Sequence, residues 1–248
     1  MPEKFQPIAV RPPSENRLLF WGRCLVDLQL LTIFLFLRRP LNSCRGRVLD
    51  VGAGNAPWRD LLPVGVEYFG VDADISGDFG MVHRSGVTYY DGKKLPYDDG
   101  SFDHVLCTEV IEHVPDPTAF LLDLKRVLRQ EGSLILTVPW SARIHYLPYD
   151  YTRFTRFGLT ELLKSVGFSG MTIKERGNDI AVIANKLLVL TVHLLRPHRW
   201  WNSFWTWVLG AMLSPITIVF MVAAYAALLL NLGSKEDPLG YGVIAMKK

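Results

Sequence analysis

The sequence predicts an α/β fold: one main domain built on a largely parallel sheet. Apolar stretches of strand length alternate with amphipathic stretches of helical period through the middle of the chain. A glycine-rich turn directly follows the first of these strands. With 248 residues, the chain can bury one such core and carry attachments, but it is short for a second complete domain.

Composition and charge exclude several classes of function. The net charge of +3 comes from scattered lysines and arginines, so we expect no nucleic-acid partner. The three cysteines, Cys24, Cys44 and Cys107, have no CxxC spacing, which argues against a disulfide framework and a zinc site. We expect them to be reduced residues of the core.

Residues 1–45 form the first predicted unit, an N-terminal apolar or amphipathic helical segment. Asp27 is the only charged residue between positions 24 and 37, and arginines flank this stretch on both sides. The stretch is shorter than the roughly 20 residues that a spanning helix needs, and no cleavage site of a signal peptide follows it. It predicts an interfacial helix or a helix that covers the core.

The first strand and its turn predict a nucleotide-like ligand. Residues 48–51 are apolar apart from Asp50, and Gly52 and Gly54 follow before a helix expected from Pro57. Glycines let the backbone approach a ligand, and a helix N-terminus offers free N–H groups. A dinucleotide fingerprint has a third glycine where this chain has Pro57, which argues against NAD.

The remaining strands can be placed in chain order. A strand over residues 67–71 ends at Asp72, where a carboxylate can bind both hydroxyls of a ribose. Further strands are predicted over residues 134–138 and 171–175, with an amphipathic helix over residues 160–166 between them. A final strand covers residues 241–246, after the turn signal at residues 238–240.

Residues 89–117, YYDGKKLPYDDGSFDHVLCTEVIEHVPDP, make the pattern specific. With the glycine turn, they resemble class I S-adenosylmethionine-dependent methyltransferases over residues 46–168 and the extreme C-terminus. The resemblance implies a Rossmann-like seven-stranded sheet with helices on both faces and an antiparallel last strand beside residues 171–175. It also implies S-adenosylmethionine as the cofactor. The residues it assigns to cofactor binding are Asp50, Gly52, Gly54 and Asn55 at the turn, Asp72 on the ribose, and Asp91 and Gly92 near the adenine.

Residues 179–238 interrupt this fold as an apolar insertion between the core, residues 46–178, and its last strand, residues 239–248. No charged residue occurs from position 200 to position 234. Both flanking strands belong to one sheet, so the insertion must leave and return on the same side. It can form a hairpin, bend at Pro215 into two halves, or lie flat in the interface, and Lys186 makes its first arm a poor span.

We expect this insertion to hold the domain at the cytoplasmic face of a membrane, as a peripheral or monotopic protein or with a re-entrant hairpin. Arg196, Trp205 and Trp207 resemble headgroup anchors. The alternative is that the helices cap the sheet or form a dimer interface. The oligomeric state does not follow from the sequence.

The expected methyl-transfer side carries Glu109, Glu112 and His113 after the fourth strand and His145 after the fifth. Glu109, His113 and His145 are the candidate catalytic residues, with an imidazole as general base. The E-x-x-E-H pattern also resembles the metal-binding set of some oxygen-methylating relatives, so a divalent metal is an alternative, although not the favoured one. A third interpretation is that Glu112 and His113 only fix the loop.

Residues 145–155, HYLPYDYTRFT, resemble an acceptor-side segment of methyltransferases of glycan and lipid biosynthesis. Tyr149, Tyr151 and Arg153 are therefore the candidate acceptor-binding residues. We expect transfer of a methyl group to a hydroxyl of a membrane-borne acceptor, such as a lipid-linked sugar, a quinone precursor or another lipid. The alternatives are a soluble acceptor, with the insertion as an anchor, and a non-catalytic cofactor-binding scaffold.

Overall fold

The computed structural model describes residues 9–74, 83–196 and 200–248. Residues 1–8 of the predicted N-terminal segment and residues 197–199 of the predicted insertion therefore lie outside the described residues.

One seven-stranded sheet organises the described residues, in the order β3-β2-β1-β4-β5-β7-β6. β7 is antiparallel to β5 and β6, whereas the other pairings are parallel. This arrangement confirms the predicted sheet and its antiparallel last strand. The strands are β1 (Arg47–Val51), β2 (Glu67–Ala73), β3 (Val87–Tyr90), β4 (Phe102–Thr108), β5 (Leu128–Pro139), β6 (Phe168–Arg176) and β7 (Gly240–Lys247).

Helices cover both faces of the sheet, as predicted. One face packs against α1 and α2, with Val48, Leu106 and Ile135 pointing toward them. Neighbouring strand residues point the other way and pack against α3 and α4, as the alternation of a strand requires. The helices are α1 (Arg17–Cys24), α2 (Leu28–Asn42), α3 (Pro117–Val127), α4 (Arg156–Ser165), α5 (Asp179–Leu195) and α6 (Trp200–Leu230).

The N-terminal apolar stretch is two helices rather than one. α1 and α2 meet at 112°, and Asp27 caps α2 by accepting a hydrogen bond from the Leu30 N–H at 3.0 Å. This capping carboxylate explains the break, because aspartate favours the N-cap position. α2 then lies on the sheet with Leu37 and Leu41 fully buried, which makes it a helix that covers the core. All three cysteines are buried and free, as expected.

The α-helix predicted from Pro57 is wrong. Only a short 3-10 helix, Arg59–Leu61, follows the glycine turn. Pro63 lies close behind it, and a proline removes the backbone donor that would continue a helix. The turn therefore leads into β2 through a short connection.

The insertion is a hairpin of α5 and α6. The start of α5 contacts the end of α6, because the Asn178 side chain donates to the Leu232 carbonyl at 2.8 Å. Further along, the hydroxyls of Thr191 and Thr217 are 2.7 Å apart. α6 continues through Pro215, so the alternative of two halves bent there is wrong.

One described helix segment, Phe204–Leu230 within α6, is long and apolar enough to cross a membrane. Only 17% of the most apolar 18-residue stretch of this segment is buried in the fold. Its apolar side chains are therefore largely available to another apolar environment.

Candidate active site

A cavity of about 1150 Å³ lies at the carboxyl ends of β1, β2, β4 and β5. Its wall includes the glycine turn, the loops after β4 and β5, and one side of α5. Ligands of open α/β sheets bind at this edge, where the loops between strands and helices meet. The glycine turn and α5 of the insertion therefore line the same cavity.

The glycine turn brings backbone to the cavity wall. Gly52 and Gly54 line the cavity with φ of +74° and +50°, in the left-handed region that favours glycine. A Cβ at Gly52 would also overlap the Val110 side chain. Position 52 therefore needs glycine for both its backbone angle and its close approach to the loop after β4.

Asp72 is fixed against this turn. Its Oδ2 accepts from the Gly54 N–H at 2.8 Å, and its Oδ1 accepts from the Ala73 N–H at 2.8 Å. Burial raises the pKa of Asp72, although both N–H groups oppose that shift. Since Asp72 lines the cavity, its carboxylate can accept hydrogen bonds from a bound sugar hydroxyl.

The other predicted cofactor residues divide into two groups. Asn55, Asp91 and Gly92 line the cavity. Asp50 does not: its carboxylate is 1% exposed and accepts a 2.7 Å hydrogen bond from the Tyr68 hydroxyl. Burial raises the pKa of Asp50 to about 7. The contact of Asp50 with the cofactor stays a prediction; in the structure its side chain points to the face of the sheet opposite Leu49 and Val51.

Glu109 lines the cavity but is held by a buried cation. Its Oε1 lies 2.8 Å from Nη2 of Arg176, whose side chain is 1% exposed. Arg176 also donates to the carbonyls of Val138 and Tyr241. This ion pair fixes the Glu109 side chain between the cavity and the neighbouring strands β5 and β7. Arg176 was not predicted as a site residue, because nothing in its local sequence marks it as buried.

Glu112, His113 and His145 form a second cluster. Their ligand atoms lie within 4.8 Å of one another. The Glu112 carboxylate is fully buried and has no hydrogen-bond partner among the described residues. Burial and then the charge of Glu109 raise the pKa of Glu112 well above its usual range.

This donor set is compatible with a divalent cation, because two imidazoles and a carboxylate are common ligands of such ions. Glu109 falls outside the set that the geometry brings together, since Oε1 of Glu109 is paired with Arg176. The E-x-x-E-H pattern is therefore only partly assembled as a cluster.

A hydrogen bond to a carbonyl oxygen defines the tautomer of His113. Nδ1 of His113 lies 2.8 Å from the Tyr149 carbonyl, which can only accept, so Nδ1 donates and the neutral ring keeps its lone pair at Nε2. Nδ1 of His145 lies 3.0 Å from the Arg143 carbonyl and 3.4 Å from Nη2 of Arg153, an acceptor and a donor. Burial and then His113 lower the pKa of His145 to about 4. His145 is consequently a weak base at neutral pH.

The acceptor-side tyrosines and Arg153 differ in placement. Tyr149 and Tyr151 line the cavity, as does Tyr146. Arg153 is absent from the described lining, and its guanidinium binds both carboxylate oxygens of Asp150 at 2.5 and 2.8 Å. The binding of an acceptor by Arg153 stays a prediction; in the structure its guanidinium is paired with Asp150, whose side chain is 2% exposed.

The insertion also lines the cavity, a placement that its sequence does not predict. Asn185, Lys186 and residues 188–190 of α5 form part of the wall, with Val192 and His193 further along. The corner between α1 and α2 also contributes Arg23, Val26 and Asp27 to the lining. A hydrophobic run predicts a helix, but it does not predict which pocket that helix borders.

A family model described as a methyltransferase domain matches residues 26–172, from the corner before α2 into β6. A Mycolicibacterium smegmatis protein named a probable S-adenosylmethionine-dependent methyltransferase is 31% identical over 146 residues, covering 53% of this chain and 55% of the relative. A ubiquinone biosynthesis O-methyltransferase of Xanthomonas oryzae is 53% identical over 106 residues, covering 39% of this chain and 44% of the relative. The chain thus spans about half the length of these two relatives.

A solved structure shares the fold at low sequence identity. The S-adenosylmethionine-dependent methyltransferase from Archaeoglobus fulgidus aligns with a TM-score of 0.52 and 19% identity. The alignment covers 94% of this chain and all of the other. At this identity, the similarity shows the architecture of the sheet and helices.

Proposed function

This chain belongs to the class I S-adenosylmethionine-dependent methyltransferases, and we propose that it methylates a hydroxyl of a membrane-borne acceptor. A lipid-linked sugar, a quinone precursor or another lipid meets this description. The observation that carries the proposal is the shared cavity, which runs from Gly52, Asp72 and Asp91 to the apolar helix α5. An acceptor with an apolar part has a matching wall beside the methyl-transfer site.

The exposed face of α6 supports attachment to a membrane. Its exposed apolar side chains include Trp205 at 68%, Val219 at 65% and Leu229 at 83%. Soluble surfaces rarely carry a continuous apolar patch of this size. We propose a peripheral or re-entrant attachment, because both ends of the hairpin return to the same sheet. We propose the cytoplasmic face, because arginines flank the apolar segments and the cofactor is cytosolic.

α1 extends this apolar surface. Leu18 is 88% exposed and Leu25 is 64% exposed. The Tyr225 hydroxyl of α6 donates to the Cys24 carbonyl at 2.7 Å, so the two elements are joined directly. The corner between α1 and α2 and the hairpin would then face the same interface, with the cavity between them.

Bound S-adenosylmethionine supplies an electrophilic methyl group on a sulfonium. For this chain, the glycine turn would accommodate the cofactor backbone closely, Asp72 would accept hydrogen bonds from its ribose, and Asp91 would contact the adenine. Tyr149 and Tyr151 would orient the acceptor, because both lie on the cavity wall. Holding the acceptor oxygen in line with the methyl carbon contributes much of the rate in such displacements.

His113 is the general base in this proposal. The residue borders the cavity and its Nδ1 donates to the Tyr149 carbonyl, so the lone pair lies on Nε2. Nε2 is buried 3.7 Å from the Glu112 carboxylate, so the ring would have to turn toward the cavity to take up the hydroxyl proton. The low pKa of His145 makes that residue a weaker candidate. The likeness to a ubiquinone biosynthesis O-methyltransferase supports oxygen as the methylated atom.

A divalent cation is the alternative way to activate the hydroxyl. Glu112, His113 and His145 would hold it, and it would lower the pKa of the acceptor oxygen. Treating purified protein with EDTA separates the two mechanisms. Transfer that persists in metal-free protein supports the base, whereas transfer that stops and returns with added metal supports the cation.

The test is a transfer assay with S-adenosylmethionine labelled at the methyl group. Purified protein in detergent is incubated with bacterial membrane extract, and the products are partitioned between organic and aqueous phases. We expect the labelled product in the organic phase. The label of a methyl ether should be released by mild base less readily than that of a methyl ester. Label confined to a water-soluble product would favour the soluble acceptor, and cofactor binding without any transfer would favour the scaffold.

A further inference from the structure

The inner side of α5 changes character along its length. Asn185 and Lys186 line the cavity nearest the sheet, and residues 188–190 continue the lining with apolar side chains. Lys186 follows Asp179, the first residue of α5, by seven positions, or about 10 Å of helical rise. The helix therefore presents a cation close to the sheet edge and an apolar wall farther out.

Lys186 is unusual in this environment. It is the only lysine or arginine in α5 and α6. In the proposed membrane-attached state, a cation on this apolar hairpin is costly unless it has a partner, so its presence argues for a specific one. Lys186 is exposed and forms no ion pair with a carboxylate of the described chain.

Two carboxylates on the cavity wall already have cationic partners. Asp27 lies 3.5 Å from Arg23, and Glu109 lies 2.8 Å from Arg176. Neither is positioned as a dedicated partner of Lys186. An anion brought by the acceptor would fill this role.

We propose that Lys186 binds an anionic group, a phosphate or a carboxylate, on the headgroup of the lipid acceptor. This inference rests on the proposed function and narrows its substrate class. The headgroup lies toward the sheet edge, where methyl transfer takes place. The apolar chain leaves along residues 188–192 of α5, between this helix and Val26 at the corner of α1 and α2.

The experiment uses dodecyl phosphate as a defined probe. Full-length protein in a neutral detergent, saturated with S-adenosylhomocysteine, is titrated calorimetrically with dodecyl phosphate, dodecanol or inorganic phosphate. Lys186→Gln should weaken dodecyl phosphate binding at least fivefold, while Lys186→Arg should stay within about twofold of the native protein. Lys174→Gln is the matched control, since Lys174 is exposed on β6 and does not line the cavity.

Two results would overturn the inference. One is equal affinity of native protein and Lys186→Gln for dodecyl phosphate, and the other is equal affinity of the native protein for dodecyl phosphate and dodecanol. Inorganic phosphate binding as tightly as dodecyl phosphate would also contradict a lipid headgroup as the source of the anion.

Flotation with phosphatidylcholine vesicles separates this inference from the proposed function. Native protein and Lys186→Gln should both float, because the apolar face of α6 is unchanged. If neither floats, membrane attachment in the proposed function fails. If both float but Lys186 has no effect on anion binding, only the present inference fails.

Discussion

Breaking the ion pair between Arg176 and Glu109 should destabilise the fold strongly. The two groups are 2.8 Å apart, with side chains 1% and 22% exposed. Arg176→Met keeps a similar volume but leaves the Glu109 carboxylate without its cation. It also removes the donors to the carbonyls of Val138 and Tyr241.

Removing one partner of a buried pair typically costs 3–5 kcal/mol. Partial exposure lets water solvate Glu109, so we expect Arg176→Met to lower the free energy of unfolding by about 3 kcal/mol. Glu109→Gln should cost about 2 kcal/mol, because the glutamine still accepts a hydrogen bond from Arg176. In the double variant neither charge is left alone, so its loss should fall short of the sum by about 1.5 kcal/mol.

The assay is urea unfolding in mild detergent, followed by near-UV circular dichroism, for the native protein and all three variants. Lys164→Met with Glu161→Gln is the control cycle. That pair is also close, at 2.9 Å, but 55% and 73% exposed, so its coupling should stay below about 0.5 kcal/mol. If the decreases in the free energy of unfolding of Arg176→Met and Glu109→Gln add up in the double variant to within about 0.5 kcal/mol, the two side chains are not coupled and the reasoning is refuted.

Three further predictions concern the cofactor half and the imidazole cluster. Asp72→Ala should weaken S-adenosylhomocysteine binding 10- to 100-fold by calorimetry, because charged hydrogen bonds contribute about 1.5–3 kcal/mol. The control Asp98→Ala, at an exposed position, should leave that binding unchanged. Gly52→Ala should abolish binding and lower Tm, while Gly65→Ala, with φ of +92° but open space around its Cβ, should cost only backbone strain. The pKa of His145 is about 4 in the folded protein and near 6.5 in the unfolded chain. The free energy of unfolding should therefore decrease as pH falls from about 6.5 toward 4. His145→Asn should reduce that decrease, measured by thermal unfolding. Equal S-adenosylhomocysteine affinities for Asp72→Ala and Asp98→Ala, equal Tm for the two glycine variants, or an unchanged pH profile for His145→Asn would contradict these assignments.

The sheet was predictable because its strands carry strong local signals. Apolar runs in the sequence mark β1, β2 and β5. The glycine turn after β1 and Asp72 near the end of β2 indicate which ends of these strands border the cavity. The helix expected after Pro57 failed because Pro63 leaves too few residues to form one. The break at Asp27 was visible as a charge, but its effect depended on the N-cap hydrogen bond to Leu30.

The candidate site was predictable only where residues follow strands directly. Asp72, Glu109 and His113 reach the cavity for that reason. Asp50 and Arg153 do not line the cavity. Packing decides which face of β1 the Asp50 side chain lies on, and it brings Arg153 next to Asp150; neither can be predicted from the local sequence. Arg176 comes from β6, far along the chain from Glu109, and only the pairing of β6, β7 and β5 brings these side chains together.

Calorimetric titration of detergent-purified protein tests the central claim most directly. S-adenosylmethionine and S-adenosylhomocysteine should each bind at one site per chain, with NAD as the control that does not bind. This result would place the sulfur nucleotide in the cavity beside Gly52 and Asp72 once the Asp72→Ala variant is compared. Folded protein that binds neither compound, or that binds NAD equally well, would contradict the account.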